Sequence, residues 1–341
     1  MPDQLRDRVA RVAGKCLTYR YYHWDWGEAI AMEGLRAASR ITGEARFSDF
    51  VRRMVEGWMA HSPDPWYPDH VGPGSVLVDL WEETGDLRFL GYALRLGEHL
   101  VRLPRATCGG YFLRPDLPDR AKLIWVDAMQ TDAPFLCRLA ATTGEARWYD
   151  AAAGHISGHI AALQDPATGL FHHNYDDARA KGNGVFWGRG NGWAALGLAC
   201  TLALLPKDHA RYSRLLESFQ RMARTLVARQ DAETKLWHTV VDHPETCLEA
   251  SASLMFADAL MRGGKAGILS VEVAMAGETA WKALWDQVAV DGLVRNVSRR
   301  TPPRSDVADY KLPPLGDHYP WGQGPYLLAA ATHLGFDPTV A

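Results

Sequence analysis

The strongest constraint on this chain is an alternation of amphipathic helical segments with two recurring kinds of turn. "AIAMEGLRAASRI", "SVLVDLWEETG", "APFLCRLAATTG", "AALGLACTLALL" and "ASLMFADALMRGG" carry apolar residues at three- and four-residue spacing, the mark of a helix with one buried face. Runs with strand alternation are short and rare. The first turn is "ITGEARF", "ETGDLRF" and "TTGEARW": a glycine stops one helix, an acid follows, and an aromatic anchors the next. The second is "DPATGLFHH", "DAETKLWHT" and "DGLVRNV", each a turn before a short extended piece, with "GGYFL" as a degenerate copy. Copies recur at roughly 40–65 residues, about the size of a helical hairpin. Helices joined by two alternating turn types stack into a ring, with one turn type at each end. The expected fold is all-α, an (α/α)6 barrel formed as one domain over residues 1–341. An open solenoid would want more uniform repeats and polar caps.

In such a ring the second turn type marks the working end, because it carries His172, His173, Trp237 and His238. The 341 residues are 47% hydrophobic, enough for a large core. A net charge of -3 with no basic stripe argues against nucleic acid as a partner. No segment approaches the roughly 18 apolar residues that cross a bilayer, so no membrane role is expected. The five scattered cysteines form no CxxC pair and read as free thiols in a reducing compartment. With the charged N-terminal stretch, this gives the expectation of a soluble cytoplasmic protein. The thirteen tryptophans are many for this length, and several fall in loops.

Asp127, in "KLIWVDAMQTDAPFL", stands at an apparent helix start three residues before Gln130, which fits a capping box. Equally, Trp125 lies two residues earlier and in extended backbone would share its side. An indole beside a carboxyl excludes water and keeps the acid protonated near neutral pH. Asp69, before a Gly-Pro-Gly turn, reads either as a turn residue or as a second carboxyl facing the same space. "GLFHHNYDDAR" matches no metal-ligand spacing, so no metal is expected there. One of its histidines, His172 or His173, is expected to hydrogen-bond a polar ligand instead.

"VFWGRGNGW" packs three glycines among aromatic and polar groups. A buried helix is not expected to tolerate them. Extended backbone would present Trp187, Arg189, Asn191 and Trp193 on one side, with glycines letting a ligand approach. Indoles stack on sugar faces, and a guanidinium grips a carboxylate, so the group suits a small acidic sugar. "YRYYHWDWGEAIAMEGL" adds Trp24 to the candidate site, and "HYPWGQGPYLLAA" repeats the Trp-Gly-x-Gly theme.

These segments, with "PDHVGPGSVLVDLWEETGD" and "LEASASLMFADAL", resemble the unsaturated glycuronyl hydrolases, in particular the unsaturated rhamnogalacturonyl hydrolases of glycoside hydrolase family 105, over nearly the whole chain. The resemblance implies an (α/α)6 barrel with its site at one end and no metal or organic cofactor. The implied substrate is a short oligosaccharide with a C4=C5 double bond in its terminal uronic acid. By position it implies Asp127 as general acid/base and Asp69 as its partner carboxyl. His173, Trp125, Trp187, Arg189, Asn191 and Trp193 are implied as lining the site. The chain departs from the pattern at Gln130, Thr131 and Asp132, where added polarity is expected to bear on substrate choice. Rival readings on the same toroid are a sugar epimerase using paired histidines, a polysaccharide lyase, and a non-catalytic carbohydrate-binding module.

Overall fold

The turns decide how the helices stack. A computed structural model of the chain describes residues 2–22, 24–61, 71–311 and 318–336. Gly43, Gly85 and Gly144 end their helices at φ of +76°, +69° and +73°, a conformation in which any side chain would be strained. The aromatics that follow, Phe47, Phe89 and Trp148, are buried as anchors. Asp86 also caps the next helix, its carboxylate accepting from the Arg88 amide at 2.9 Å.

Among the described residues twelve long helices result. The inner six are α2 (Trp26–Thr42), α4 (Gly74–Thr84), α7 (Ala133–Thr143), α9 (Gly188–Leu204), α11 (Ala250–Lys265) and α13 (Pro320–Leu334). The outer six are α1 (Pro2–Cys16), α3 (Ala45–His61), α5 (Leu87–Arg102), α8 (Ala146–Leu163), α10 (Tyr212–Ala228) and α12 (Val271–Leu284). Each inner helix packs on the next, and α13 returns to α2, closing the (α/α)6 ring expected from the sequence. No helix among the described residues is long and apolar enough to cross a membrane. All five cysteines are free thiols.

Inner helices approach closely because small residues face each other. A Cβ on Gly34 would stand 2.8 Å from the Gly324 carbonyl oxygen, so α2 and α13 meet backbone to backbone. Inside the ring Arg36 and Arg138 converge on Asp79, tying α2, α4 and α7 together. Short glycine turns lead from inner C-termini to outer helices, so the inner N-termini gather at the opposite end. There the second turn type forms its extended pieces, seen in the bridges Gln164↔Phe171, His238↔Leu248 and Val288↔Val294. "GGYFL" behaves alike, with Arg105↔Tyr111. At the same end lies a three-stranded antiparallel sheet of β1 (Leu123–Trp125), β2 (Asn174–Asp176) and β3 (Lys181–Gly182), in which Trp125 pairs with Asn174. A one-turn helix, α6 (Ala128–Thr131), leads from β1 into α7.

Extended backbone for "VFWGRGNGW" is corrected by the structure. Of Trp187, Arg189, Asn191 and Trp193 only Trp187 is extended, and Gly188 opens α9. The glycines sit in a buried helix because they are where it touches its neighbours. A Cβ on Gly190 would press on Trp187 and Val126 at 2.8 Å, and one on Gly192 on the Met255 sulfur at 2.8 Å. Close packing thus overrides glycine's low helix propensity.

Candidate active site

Trp125 ends β1, and the chain turns at Asp127 into α6. Asp127 has helical φ and ψ of -56° and -37°, and its side chain makes no capping hydrogen bond. Of the two readings open in the sequence, the cap is therefore excluded. The carboxyl lies instead at the wall of a cavity of about 200 Å³, with the indoles of Trp26, Trp125 and Trp187 as its other sides. Arg189 and Arg300 complete one side, and Leu113, Arg114 and Arg120 come from the loop before β1. Asp127 is 9% exposed, and among the described residues its Oδ2 has no hydrogen-bond partner. Burial pushes its pKa up to about 6, against the pull of the nearby Arg189 cation. The carboxyl therefore holds its proton in mildly acidic solution.

His173 lies behind this wall, its Nε2 3.9 Å from Asp127 Oδ2. Its ring stacks on Trp187 with centroids 4.1 Å apart. Burial and Arg189 hold its pKa well below the ordinary value, so the imidazole is neutral. Its tautomer follows from Tyr310. The phenol oxygen accepts from the Arg304 amide at 2.8 Å and from Asn183 Nδ2 at 3.1 Å, filling both lone pairs. Its own proton lies nearest His173 Nδ1, at 2.9 Å, with the Arg304 carbonyl a second acceptor at 3.2 Å, and the filled oxygen accepts nothing further from the ring. The imidazole hydrogen is left on Nε2, facing Asp127.

The segment carrying Asp127 is braced from below by α8. His159 Nε2 lies 3.2 Å from the Trp125 carbonyl, and His155 Nε2 3.3 Å from the Ala128 carbonyl. His155 Nδ1 accepts from the Tyr111 amide, which places its hydrogen on Nε2. Nε2 also lies 3.4 Å from Asp132 Oδ2, and Thr131 donates to Asp132 Oδ1 at 2.8 Å. Burial pushes Asp132 up to about 7. Thr131 and Asp132 thus belong to this buried brace and do not line the cavity.

The other sequence candidates divide. Arg189 lines the cavity with Trp187, its guanidinium 4.5 Å from that ring. Asn191 spends its amide within the protein, accepting from the Phe171 amide at 2.8 Å and donating to the Phe171 and Trp187 carbonyls. It pins the "GLFHH" piece to the start of α9. Trp193 is buried edge-on to Trp26, 5.7 Å away, and Trp24 stacks on Trp58 at 4.0 Å inside the core. The indole of this stretch at the cavity is Trp26, which opens α2 two residues on from Trp24. Asp69 lies outside the described residues. Tyr310, Asn183 and Arg300 were missed because no local pattern marks any of them, Tyr310 ending a short 3-10 turn and the other two lying outside the helices.

Three comparisons bear on this site. The chain is 30% identical over 309 residues to the unsaturated rhamnogalacturonyl hydrolase YesR of Bacillus subtilis (strain 168), covering 89% of this chain and 87% of that one. It is 27% identical to an unsaturated 3S-rhamnoglycuronyl hydrolase of Alteromonas sp. (strain LOR), over 91% of this chain and 77% of that one. Its fold matches the crystal structure of a possible member of the GH105 family from Klebsiella pneumoniae with a TM-score of 0.90 at 22% identity, over 97% of this chain and 93% of that one. The Glycosyl Hydrolase Family 88 model matches residues 8–336. With its closed helical ring and a buried carboxyl among indoles, the chain belongs to glycosyl hydrolase family 88 and is a glycoside hydrolase.

Proposed function

We propose that this enzyme removes a terminal 4,5-unsaturated uronic acid from short oligosaccharides by hydrating the C4=C5 double bond, with Asp127 as general acid and base. The observation that carries the reading is the Asp127 carboxyl itself: unpartnered at Oδ2 among the described residues, its pKa raised to about 6, and lining one cavity with Trp125 and Trp187. A vinyl ether asks for one proton donor. No carboxylate need attack the anomeric carbon, so the carboxyl-separation rule of ordinary glycosidases does not apply. Protonated Asp127 gives its proton to C4, and positive charge builds at C5, shared with the ring oxygen. The Asp127 carboxylate then takes a proton from water as the water oxygen bonds to C5. The C5 hemiketal opens, and the hemiacetal left at C1 releases the remaining oligosaccharide as an alcohol.

His173 Nε2–H faces the carboxylate in the step where Asp127 is ionised. Asp69 would share the proton of Asp127 beforehand and orient the sugar. Trp125 and Trp187 form the stacking walls, and Arg189 tempers the acid with its charge. Asn191 and Trp193 set the backbone on which Trp187 and Arg189 stand. Rhamnose is the proposed neighbour of the uronic acid, supported by the names of both enzyme relatives. The free thiols fit work in a reducing cytoplasm. An epimerase would need a histidine pair at the cavity, and among the described residues no histidine lines it.

The test is to incubate the protein with unsaturated galacturonyl-rhamnose and follow the ultraviolet absorbance of the conjugated double bond. The wild type should remove it, and Asp127→Asn should slow removal by about 10²-fold or more. Near-wild-type turnover in that variant would reject the assignment.

A further inference from the structure

Two guanidinium groups on one side of the cavity have opposite fates. That of Arg189 is buried and already committed. Nη1 donates to the Ser298 carbonyl at 3.1 Å and lies 3.5 Å from Glu249, and Nη2 donates to the Arg299 carbonyl at 2.7 Å. Thr301 Oγ1 is a further acceptor of Nη2 at 3.4 Å. A paired grip on a ligand carboxylate through both terminal nitrogens would break these bonds. Arg189 instead fastens residues 298–301 to the start of α9, and that segment carries Arg300.

Arg300 is built differently. Its side chain is 50% exposed, and its guanidinium carbon lies 5.1 Å from the Trp26 ring and 5.7 Å from the Trp321 ring. Among the described residues its hydrogen-bond partner is Asp25, whose Oδ2 accepts from Nη2 at 2.9 Å. Asp25 is itself fixed, because its Oδ1 accepts from the Gly27 amide at the start of α2. One hydrogen of Nη2 and two indoles thus hold the guanidinium plane, and the second Nη2 hydrogen remains, with Nη1 or Nε beside it, as a fork for a ligand. Nearby Arg114 is held through Nε and Nη2 by Asp116, at 2.9 and 2.7 Å. Arg120 has the adjacent Asp119 3.4 Å from its Nε.

From this geometry we propose that Arg300, anchored by Asp25 and stacked beside Trp26, binds the carboxylate on C5 of the unsaturated uronic acid and makes the enzyme require the free acid. The proposal rests on the reading above and names the residue that selects the charged sugar. A planar fork meeting a carboxylate through two N–H groups is the strongest such contact a protein makes. A neutral ester at the same carbon would leave that fork without its counter-charge.

The experiment compares the unsaturated disaccharide with its uronic acid methyl ester, using kcat/KM for each. The wild type should favour the free acid by about 10²-fold. Arg300→Met should bring that ratio to within a few-fold of one, chiefly by raising KM for the acid, and Arg300→Lys should restore part of it. Thermal melts of both variants establish that they fold, and the lysine variant gives a second reading should the methionine variant not. If folded variants keep the wild-type ratio, the proposal is overturned. A wild-type protein inactive on both substrates would instead overturn the hydration reading on which it rests.

Discussion

Asp127→Asn should separate catalysis from stability. In the folded protein the Asp127 carboxyl titrates near 6, against 3.8 for an unperturbed group. The folded state therefore binds this proton more tightly than the unfolded chain does. Its stabilising contribution is complete below pH 3.8 and is lost as pH rises through about 6. Above that, holding the ionised carboxylate in its buried place costs the fold about 3 kcal/mol. An amide has the same shape and no charge, so the substitution removes this cost. Part of the gain is offset because the new N–H₂ needs acceptors, and among the described residues nothing within hydrogen-bond reach of Oδ2 serves one. The net expectation at pH 8 is a variant more stable by about 1–3 kcal/mol, with turnover down by about 10²-fold. At pH 4 the advantage should vanish, because the wild-type group is then protonated too. Urea denaturation at the two pH values reads the difference directly, provided m is unchanged. A variant equally destabilised at pH 4 and pH 8 would refute the reasoning, since it would mean that the carboxyl pays no charge penalty where it sits.

Other outcomes follow from the same geometry. Because Asp127 must carry a proton to protonate C4, kcat/KM should decline as pH rises above about 6, and a profile flat to pH 9 would remove it as the acid. Tyr310→Phe takes away the proton that fixes the His173 tautomer, and should lower kcat by about ten-fold with KM little changed, measured on the unsaturated disaccharide. Gly34→Ala forces a methyl against the Gly324 backbone where α2 and α13 close the ring, and should cost about 1–3 kcal/mol in a denaturation curve.

The fold was legible because its turn chemistry is local. A glycine that must be left-handed and an aromatic that must be buried can be read from "TTGEARW" without knowing what surrounds it. The pairing of Trp125 with Asp127 was legible for a similar reason, since they are neighbours in the chain and in the cavity. The glycines of α9 misled because their cause is non-local. They admit Trp187, Val126 and Met255, contacts that local spacing does not reveal. Trp24 and Trp26 show how fine the limit is. Two similar indoles stand two residues apart, and only the packing of Trp24 on Trp58 decides which one faces the ligand. Arg189 looked like a carboxylate grip by type, and its commitment to Ser298 and Arg299 emerges only when the chain ends come together. Tyr310 and Arg300 had no local signal, because each gains its meaning from a partner more than 100 residues away.

Chemistry at the double bond rather than at the anomeric carbon is the heart of the account. An unsaturated uronyl disaccharide joined through sulfur at C1 resists an enzyme that must break the glycosidic bond first, and is open to one that hydrates C4=C5. Wild-type protein should consume its ultraviolet absorbance at a rate comparable to that of the oxygen-linked substrate, and Asp127→Asn should not. Persistence of that absorbance, while the oxygen-linked disaccharide is cleaved, would contradict the mechanism.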